Sequence, residues 1–384
     1  MKKFFALLLA SLMLASVVAS CKKDSAQPSS SPDSTPDPVP DTGSVPNLGG
    51  TIGYFEDEVD HFDRDTYEFI DVYMYPGILS EQMVACFTRL GEKLNYNMSD
   101  SCSNNDPELF LQQLEAAAAS GRYDGFFLGL DTNIQDRIVE IMDEYQLPYV
   151  SIFNPMRDDN GANFVPTVLL DGYSNGAQAI QWLYDNHKTY WGDIDTSKIA
   201  MVDFTLSIVP DIQSRSDGAI DKFGELLPGN PQFTLDSLVG GVTADNAVNE
   251  VTTIVAGHPE IEYWWFMCGI EDLATGTTRA IEALGKEDRA LVTTIGDVNL
   301  GAEWDGGYTG NTFVGCIAIS NYLYAAPAAA GLVAMADGRA TMQTLWQERR
   351  APGDTAAIWL VNSVFVTRET YNDYLSEVNA TFES

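Results

Sequence analysis

From Tyr67 onward, short apolar runs alternate with stretches whose apolar residues recur at helical spacing. The runs predict strands over Phe69–Tyr75, Gly125–Leu130, Tyr149–Phe153, Val165–Leu170, Ile199–Phe204, Tyr263–Met267, Leu291–Ile295 and Thr312–Ile319. Between them, Met83, Phe87, Leu90 and Leu94 fall at i, i+4, i+7 and i+11, and Ile134, Ile138, Ile141, Met142 and Tyr145 form a second stripe, the spacing of amphipathic helices. The strand runs are continuously apolar, as expected when helices cover both faces of a sheet. Repeated βα units of this kind predict parallel, doubly wound α/β sheets. There are too many for one comfortable sheet, so two α/β lobes are expected. Ligands of such sheets bind beyond the carboxyl ends of the strands. Two facing sheets therefore make a cleft walled by strand-end loops.

The first residues follow a different pattern. Lys2 and Lys3 precede an apolar run from Phe4 to Val18, too short to span a membrane comfortably and built like a secretory signal peptide. It ends in Val18-Ala19-Ser20-Cys21, which resembles the bacterial lipobox, in which the cysteine is lipidated and becomes the mature N-terminus. Ordinary cleavage with an incidental Cys21 is the alternative. Residues 22–48 are Lys, Ser, Pro, Asp, Gln and Thr with almost nothing apolar, a composition that predicts a disordered tether. No later segment offers 18 apolar residues free of charge. The expected product is a body on a leash outside the cytoplasm.

Composition narrows the classes further. The 384 residues hold 55 Asp+Glu against 21 Lys+Arg, a formal charge of −34, which argues against a nucleic-acid partner because phosphate binding needs a positive footprint. The 45% hydrophobic content is ample for buried cores. Cys86, Cys102, Cys268 and Cys316 contain no CxxC pair, so buried free thiols are expected, with a Cys86–Cys102 bridge as the alternative.

Several motifs carry a family resemblance. His258-Pro259-Glu260-Ile261, an apolar strand, then Ala274-x-Gly276-x-x-Arg279-Ala280 and Gly285 resemble the type I periplasmic binding proteins related to the ribose- and galactose-binding proteins. Leu170-Asp171-x-x-x-x-Gly176 is similar to that family's crossover between lobes, Arg215-x-x-Gly218 to its arginine-glycine pattern, and Gln146-Leu147-Pro148-Tyr149-Val150 to a helix-to-strand entry. The likeness spans about residues 67–375. Ala219 stands where an aromatic is common, Ile270-Glu271 replaces an Asn-Asp pair, Ile295-Gly296-Asp297 replaces Gly-Phe-Asp, and Thr51–Asp65 is an extra segment. The resemblance implies two Rossmann-like lobes joined by a three-segment hinge. Crossovers are expected near Leu170–Gly172, Ile319–Asn321 and the stretch before Ala356. The lobes then comprise residues 49–171 with 320–355, and 172–319 with 356–384.

A neutral sugar needs aromatic platforms and multidentate polar side chains. Arg215 is the first candidate, because its guanidinium can fork two hydroxyls and its position matches the family's ligand arginine; a solvent-facing helix arginine is the plain alternative. Asn154 follows a strand where relatives place an acidic ligand residue, although Asn154-Pro155 also signals a turn. Asp131, Glu271 and Asp297 sit at strand ends as hydroxyl acceptors or helix caps, and Asn321 lies at a crossover. Tyr75, Phe153, Phe204 and Trp304 are the stacking candidates, while Trp264 and Trp265, in mid-strand, read as core. The acidic run Glu56-Asp57-Glu58 with Asp60, His61 and Asp63 lacks an EF-hand's glycine turn and reads as a solvated face.

No GxGxxG, P-loop lysine motif or GxSxG occurs, so dinucleotide, phosphoryl and hydrolase readings lack support, and a binding protein without cofactor or metal is expected rather than an enzyme. As the resemblance implies, the chain captures a sugar or polyol and delivers it to an ABC transporter permease, with the membrane reached through lipid on Cys21. A ligand-sensing lipoprotein reporting to a receptor kinase, or a glycoside hydrolase, are the alternatives. The related transcription regulators carry a DNA-binding head where this chain has a signal peptide and tether.

Overall fold

The computed structural model describes residues 59–129, 132–361 and 363–382, all within the compact unit of residues 42–384. Cys21, the tether and Asp131 lie outside the described residues. Two six-stranded sheets form the frame. The first contains β1 (Tyr67–Tyr73), β2 (Tyr96–Cys102), β3 (Gly125–Gly129), β4 (Tyr149–Ile152), β5 (Thr167–Leu170) and β11 (Ile358–Val361). The second contains β6 (Ile199–Thr205), β7 (Gln232–Asp236), β8 (Tyr263–Cys268), β9 (Ala290–Ile295), β10 (Phe313–Ala318) and β12 (Val364–Val366). Their orders, β11-β5-β4-β3-β1-β2 and β12-β10-β9-β8-β6-β7, match position by position. Every pairing is parallel except β10 with β12.

Four strands come from outside the long apolar runs. β2 reads YNMSDSC, with only Tyr96 buried, and β7 reads QFTLD, alternately exposed and half-buried. Each is a sheet edge, hydrogen-bonded on one side only, so burial imposes no continuous apolar run on it. β11 and β12 are short strands at the opposite edges.

Helices sheathe both sheets. In the first lobe, α1 (Ile78–Leu94) and α9 (Asn321–Ala336) cover one face, where Phe87 stacks on Phe127 at 3.9 Å and Leu332 fills the space beside Gly125. The other face belongs to α2 (Pro107–Ala119) and α3 (Gln135–Tyr145), which bury Phe110, Leu114, Ile138 and Ile141 against Ile70, Val72 and Leu128. In the second lobe, α4 (Gly172–Trp191) packs on α5 (Pro210–Leu226), and α6 (Ala244–Gly257) on α7 (Glu271–Ala283). Trp264 and Trp265 are fully buried in β8.

Three of the sequence motifs are contact points between helices. A Cβ on Gly176 of α4 would meet the Arg215 carbonyl oxygen at 1.8 Å, and one on Gly218 of α5 would meet the Tyr173 carbonyl oxygen at 2.0 Å. The crossover motif and the arginine-glycine motif are thus two halves of one joint, with backbone against backbone. Gly276 of α7 does the same against the Ala244 carbonyl oxygen of α6, at 2.1 Å. Glycine is required at these points because any side chain would separate the helices.

The chain leaves the first sheet at Leu170 and enters α4 of the second lobe at Gly172, and it returns from β10 into α9 at Asn321. The last passage differs from the expected one. Ile358–Val361 pairs in parallel register with Thr167–Leu170, so the stretch around Ala356 still belongs to the first lobe, tied there by Thr355 and Ala356 donating to the Asn163 carbonyl. The crossing falls between Val361 and Val364, because hydrogen bonding to β5 retains β11 in the first sheet. All three passages leave from carboxyl ends of strands, so the carboxyl edges of the two sheets face each other.

The amino side of the first lobe is pinned by Arg64. It donates to the Leu94 and Asn95 carbonyls, lies 3.0 Å from Asp337, and sits over the Tyr67 ring. This anchorage is at the start of β1, on the far side of the lobe from the carboxyl edge.

Candidate functional site

Arg215, in the second turn of α5, is the first side chain at the facing edges. Its Nε and Nη2 donate to Asp211 one turn earlier, at 3.0 and 2.5 Å, and its Nη1 donates to the Gly269 carbonyl at 2.8 Å. The pair is mostly buried, with 17% and 20% of the two side chains exposed. Three of the five guanidinium N–H groups are therefore spent within the second lobe, fixing the loop after β8 to α5. The other two N–H groups make no bond among the described residues, and Asp211 offsets the charge.

Across the hinge from this pair stands Tyr324, in the first turns of α9. Its side chain is buried, and its hydroxyl feels both Arg215 and Asp211. The ring meets Phe153 edge-on, with centroids 4.9 Å apart and planes at 66°. Phe153 follows β4 with φ of +71°, a left-handed backbone that a bulky residue adopts at a cost of ~1–3 kcal/mol. Such strain is concentrated at functional sites, and here it turns the chain at the strand end ahead of Asn154-Pro155. Asn154 itself is half-buried, and its carbonyl accepts from the Ser151 hydroxyl at 2.5 Å. Phe153, Tyr324, Arg215 and Asp211 thus form one cluster drawn from both lobes.

A second cluster lies at the ends of β8, β9 and β10. Glu271 opens α7 but serves α8 (Val298–Asp305): its carboxylate accepts from the Asn299 amide at 2.7 Å and from that of Val298. Gly296, with φ of +111°, makes room for that carboxyl group. Asp297 occupies the N-cap position of α8 but does not cap it; its Oδ1 accepts instead from Ile319 N at 3.2 Å, in the second crossover. Tyr374 of α10 (Tyr371–Phe382) accepts from Ser320 N at 2.7 Å, so two side chains hold that crossover on the second lobe. Burial pushes the Glu271 carboxyl up to about 7, with the Asp297 and Asp272 charges adding to it, and burial also raises Asp297. These two acids are protonated more readily than ordinary carboxylates, which suits them to short contacts with neutral groups.

The remaining candidates separate. Tyr75 lies past the end of β1 and is 51% exposed at the carboxyl edge. Asn321 donates to Gln82 of α1 at 2.9 Å, so its amide ties the crossover to the first lobe. Phe204 is fully buried within β6, a strand covered on both faces, and it offers no stacking face. Trp304 lies at the far end of α8 packed on Tyr371, with centroids 5.2 Å apart, rather than at the strand ends. All four cysteines after the tether are free; Cys86, Cys268 and Cys316 are buried and Cys102 partly so.

Sequence reasoning missed Tyr324, Asp211, Tyr374 and Gln82. Asp211 carried a signal, since Asp and Arg four apart pair on a helix. Tyr324 carried none, because α9 reads as an unbroken apolar helix. Two hollows, of about 410 and 550 Å³, lie on the opposite side of the lobes, beside Phe313 and Pro148 at the amino ends of their strands.

No family model and no curated protein matches the chain by sequence. Solved structures do match its fold. A sugar-binding protein of a sugar ABC transporter from Bacillus halodurans aligns over 80% of this chain and 99% of its own, with a TM-score of 0.65 and 13% identity. A periplasmic ribose ABC transporter protein from Conexibacter woesei DSM 14684 gives 0.63 and 17%, over 83% of this chain and 98% of its own. A solute-binding protein from Actinobacillus succinogenes 130z with bound D-allose gives 0.61 and 15%, over 80% and 100%. The architecture is that of the type I periplasmic binding proteins.

Proposed function

We propose that this protein is an extracytoplasmic solute-binding protein, anchored by lipid on Cys21, that captures a sugar or polyol between its lobes and hands it to an ABC transporter permease. The observation that carries the reading is the pairing of two matching sheets whose carboxyl edges face each other across three short crossovers. A small molecule held there touches both lobes, and contact with both favours the closed arrangement. Asn154, the Arg215–Asp211 pair and the Phe153 and Tyr75 rings supply amide, charge-balanced and aromatic surface, which suits hydroxyls and C–H faces. The fold neighbours with a bound allose or a ribose-transporter role support the same ligand class. Titration calorimetry of the mature protein with D-ribose, D-allose, L-arabinose and myo-inositol is the test. Saturable binding with a single site supports the reading; turnover of a glycoside without saturable binding sinks it.

A further inference from the structure

We propose that Tyr324 is a ligand-contacting residue whose hydroxyl hydrogen-bonds, from the first lobe, the molecule seated against Arg215 of the second. This rests on the binding function above and adds to it a named contact at the cleft floor.

Four observations carry it. Tyr324 has 5% of its surface exposed, yet its hydroxyl has no hydrogen-bond partner among the described residues and is not among the sealed polar atoms. The oxygen is therefore left without a protein partner at the end of a buried ring. Tyr96 and Tyr374 spend theirs on protein, Tyr96 donating to the Phe87 carbonyl at 2.5 Å and Tyr374 accepting from Ser320, whereas Tyr149, also without such a bond, sits at the amino end of β4, away from the facing edges. Second, the hydroxyl lies within electrostatic reach of the Arg215–Asp211 pair of the other lobe. Third, the ring is fixed by Phe153, so the hydroxyl is held in place before any ligand arrives.

The fourth observation is the internal repeat. Tyr324 lies four residues after the Ser320 cap of α9, as Asn175 lies four residues after the Asp171 cap of α4. Asn175 accepts from the Ser363 hydroxyl at the third crossover, and its remaining amide nitrogen is sealed from solvent. One lobe spends this position on the hinge and the other leaves it open to the cleft. A phenol is an apt group there, because it can donate to one sugar hydroxyl and accept from another. Burial raises its ionisation well above the ordinary range, which keeps the proton available to donate.

The experiment is calorimetry on the mature full-length protein with D-ribose, D-allose, L-arabinose and myo-inositol, comparing wild type, Tyr324→Phe and Tyr96→Phe, each also melted without sugar. Tyr324→Phe keeps the ring and its Phe153 contact and should weaken the bound sugar about tenfold, as loss of one hydrogen bond does, with the sugar-free midpoint unchanged. Tyr96→Phe, which loses a core bond, should lower the midpoint and leave affinity alone. Unchanged affinity in Tyr324→Phe overturns the assignment and leaves the binding function standing. Loss of affinity and midpoint together, as a packing defect would give, overturns it too. Wild type that binds none of the four removes the sugar reading and this contact with it.

Discussion

The joint between α4 and α5 predicts that Gly218→Ala is damaging in a way that helix propensity contradicts. In an open helix, alanine for glycine stabilises by about 1 kcal/mol. At Gly218 the new Cβ would lie 2.0 Å from the Tyr173 carbonyl oxygen, 2.8 Å from its carbon and 3.0 Å from its Cα. All three are backbone atoms that no rotamer change can move. Ordinary contact begins near 3.4 Å, so the helices must separate by more than an ångström. Overpacking of that kind costs ~1–3 kcal/mol and more where nothing can yield, so about 3 kcal/mol against about 1 gained leaves roughly 2 kcal/mol of destabilisation. Gly224, in the same helix, meets only the Gln232 side-chain nitrogen at 3.4 Å, so Gly224→Ala should be neutral or stabilising. Urea unfolding followed by tryptophan fluorescence compares the two variants directly. A Gly218→Ala protein as stable as Gly224→Ala would refute the claim that this contact sets the helix spacing.

Other outcomes follow from the buried charges and from the chain's start. Burial raises Asp71 to about 8 and Asp203 to about 7, so each holds a proton in the native state that the unfolded chain releases above about 4. The stability these two carboxyls contribute should therefore be fullest below about pH 4 and be lost as pH rises toward 7–8, by at most ~1.4 kcal/mol per unit for each group. Asp203→Asn should flatten part of that slope, and unchanged slopes in urea melts at pH 5 and 8 would count against it. Arg215→Ala removes the brace on Gly269 and leaves Asp211 unpaired, which should cost on the order of 1.5–3 kcal/mol and weaken sugar binding; a variant with wild-type melting and affinity would dismiss both roles. Cys21→Ser should move the protein from the membrane fraction of expressing cells to the soluble fraction, and retention at the membrane would remove the lipid anchor.

Much of the site's placement was legible, though less of its detail. Glu271 and Asp297 were recognisable because they sit just past apolar runs, where α/β sheets present side chains, and Arg215 because it opens the arginine-glycine motif. What each side chain does there was not. Glu271 looks like a cap for its own helix and instead receives the first amides of α8, a contact between residues 28 apart. Asp297 reaches 22 residues ahead to the crossover. Phe204 stands next to a strand end by position, but β6 is covered on both faces, so it is core whichever way its side chain alternates.

The apolar runs and helical stripes alone determined two doubly wound sheets and the order of their parts, because burial on both faces writes a continuous signal into each central strand. The spaced glycines in the motifs were visible as well. Their reason was not, since a missing Cβ declares its purpose only when the opposing carbonyl is in place. Tertiary structure decided the edge strands, the last crossover and the cluster of Phe153, Tyr324, Arg215 and Asp211. Edge strands hydrogen-bond on one side and need no apolar run. The cluster joins residues from strands and helices far apart in the chain, and only folding brings an apolar helix's tyrosine within electrostatic reach of the arginine of the other lobe.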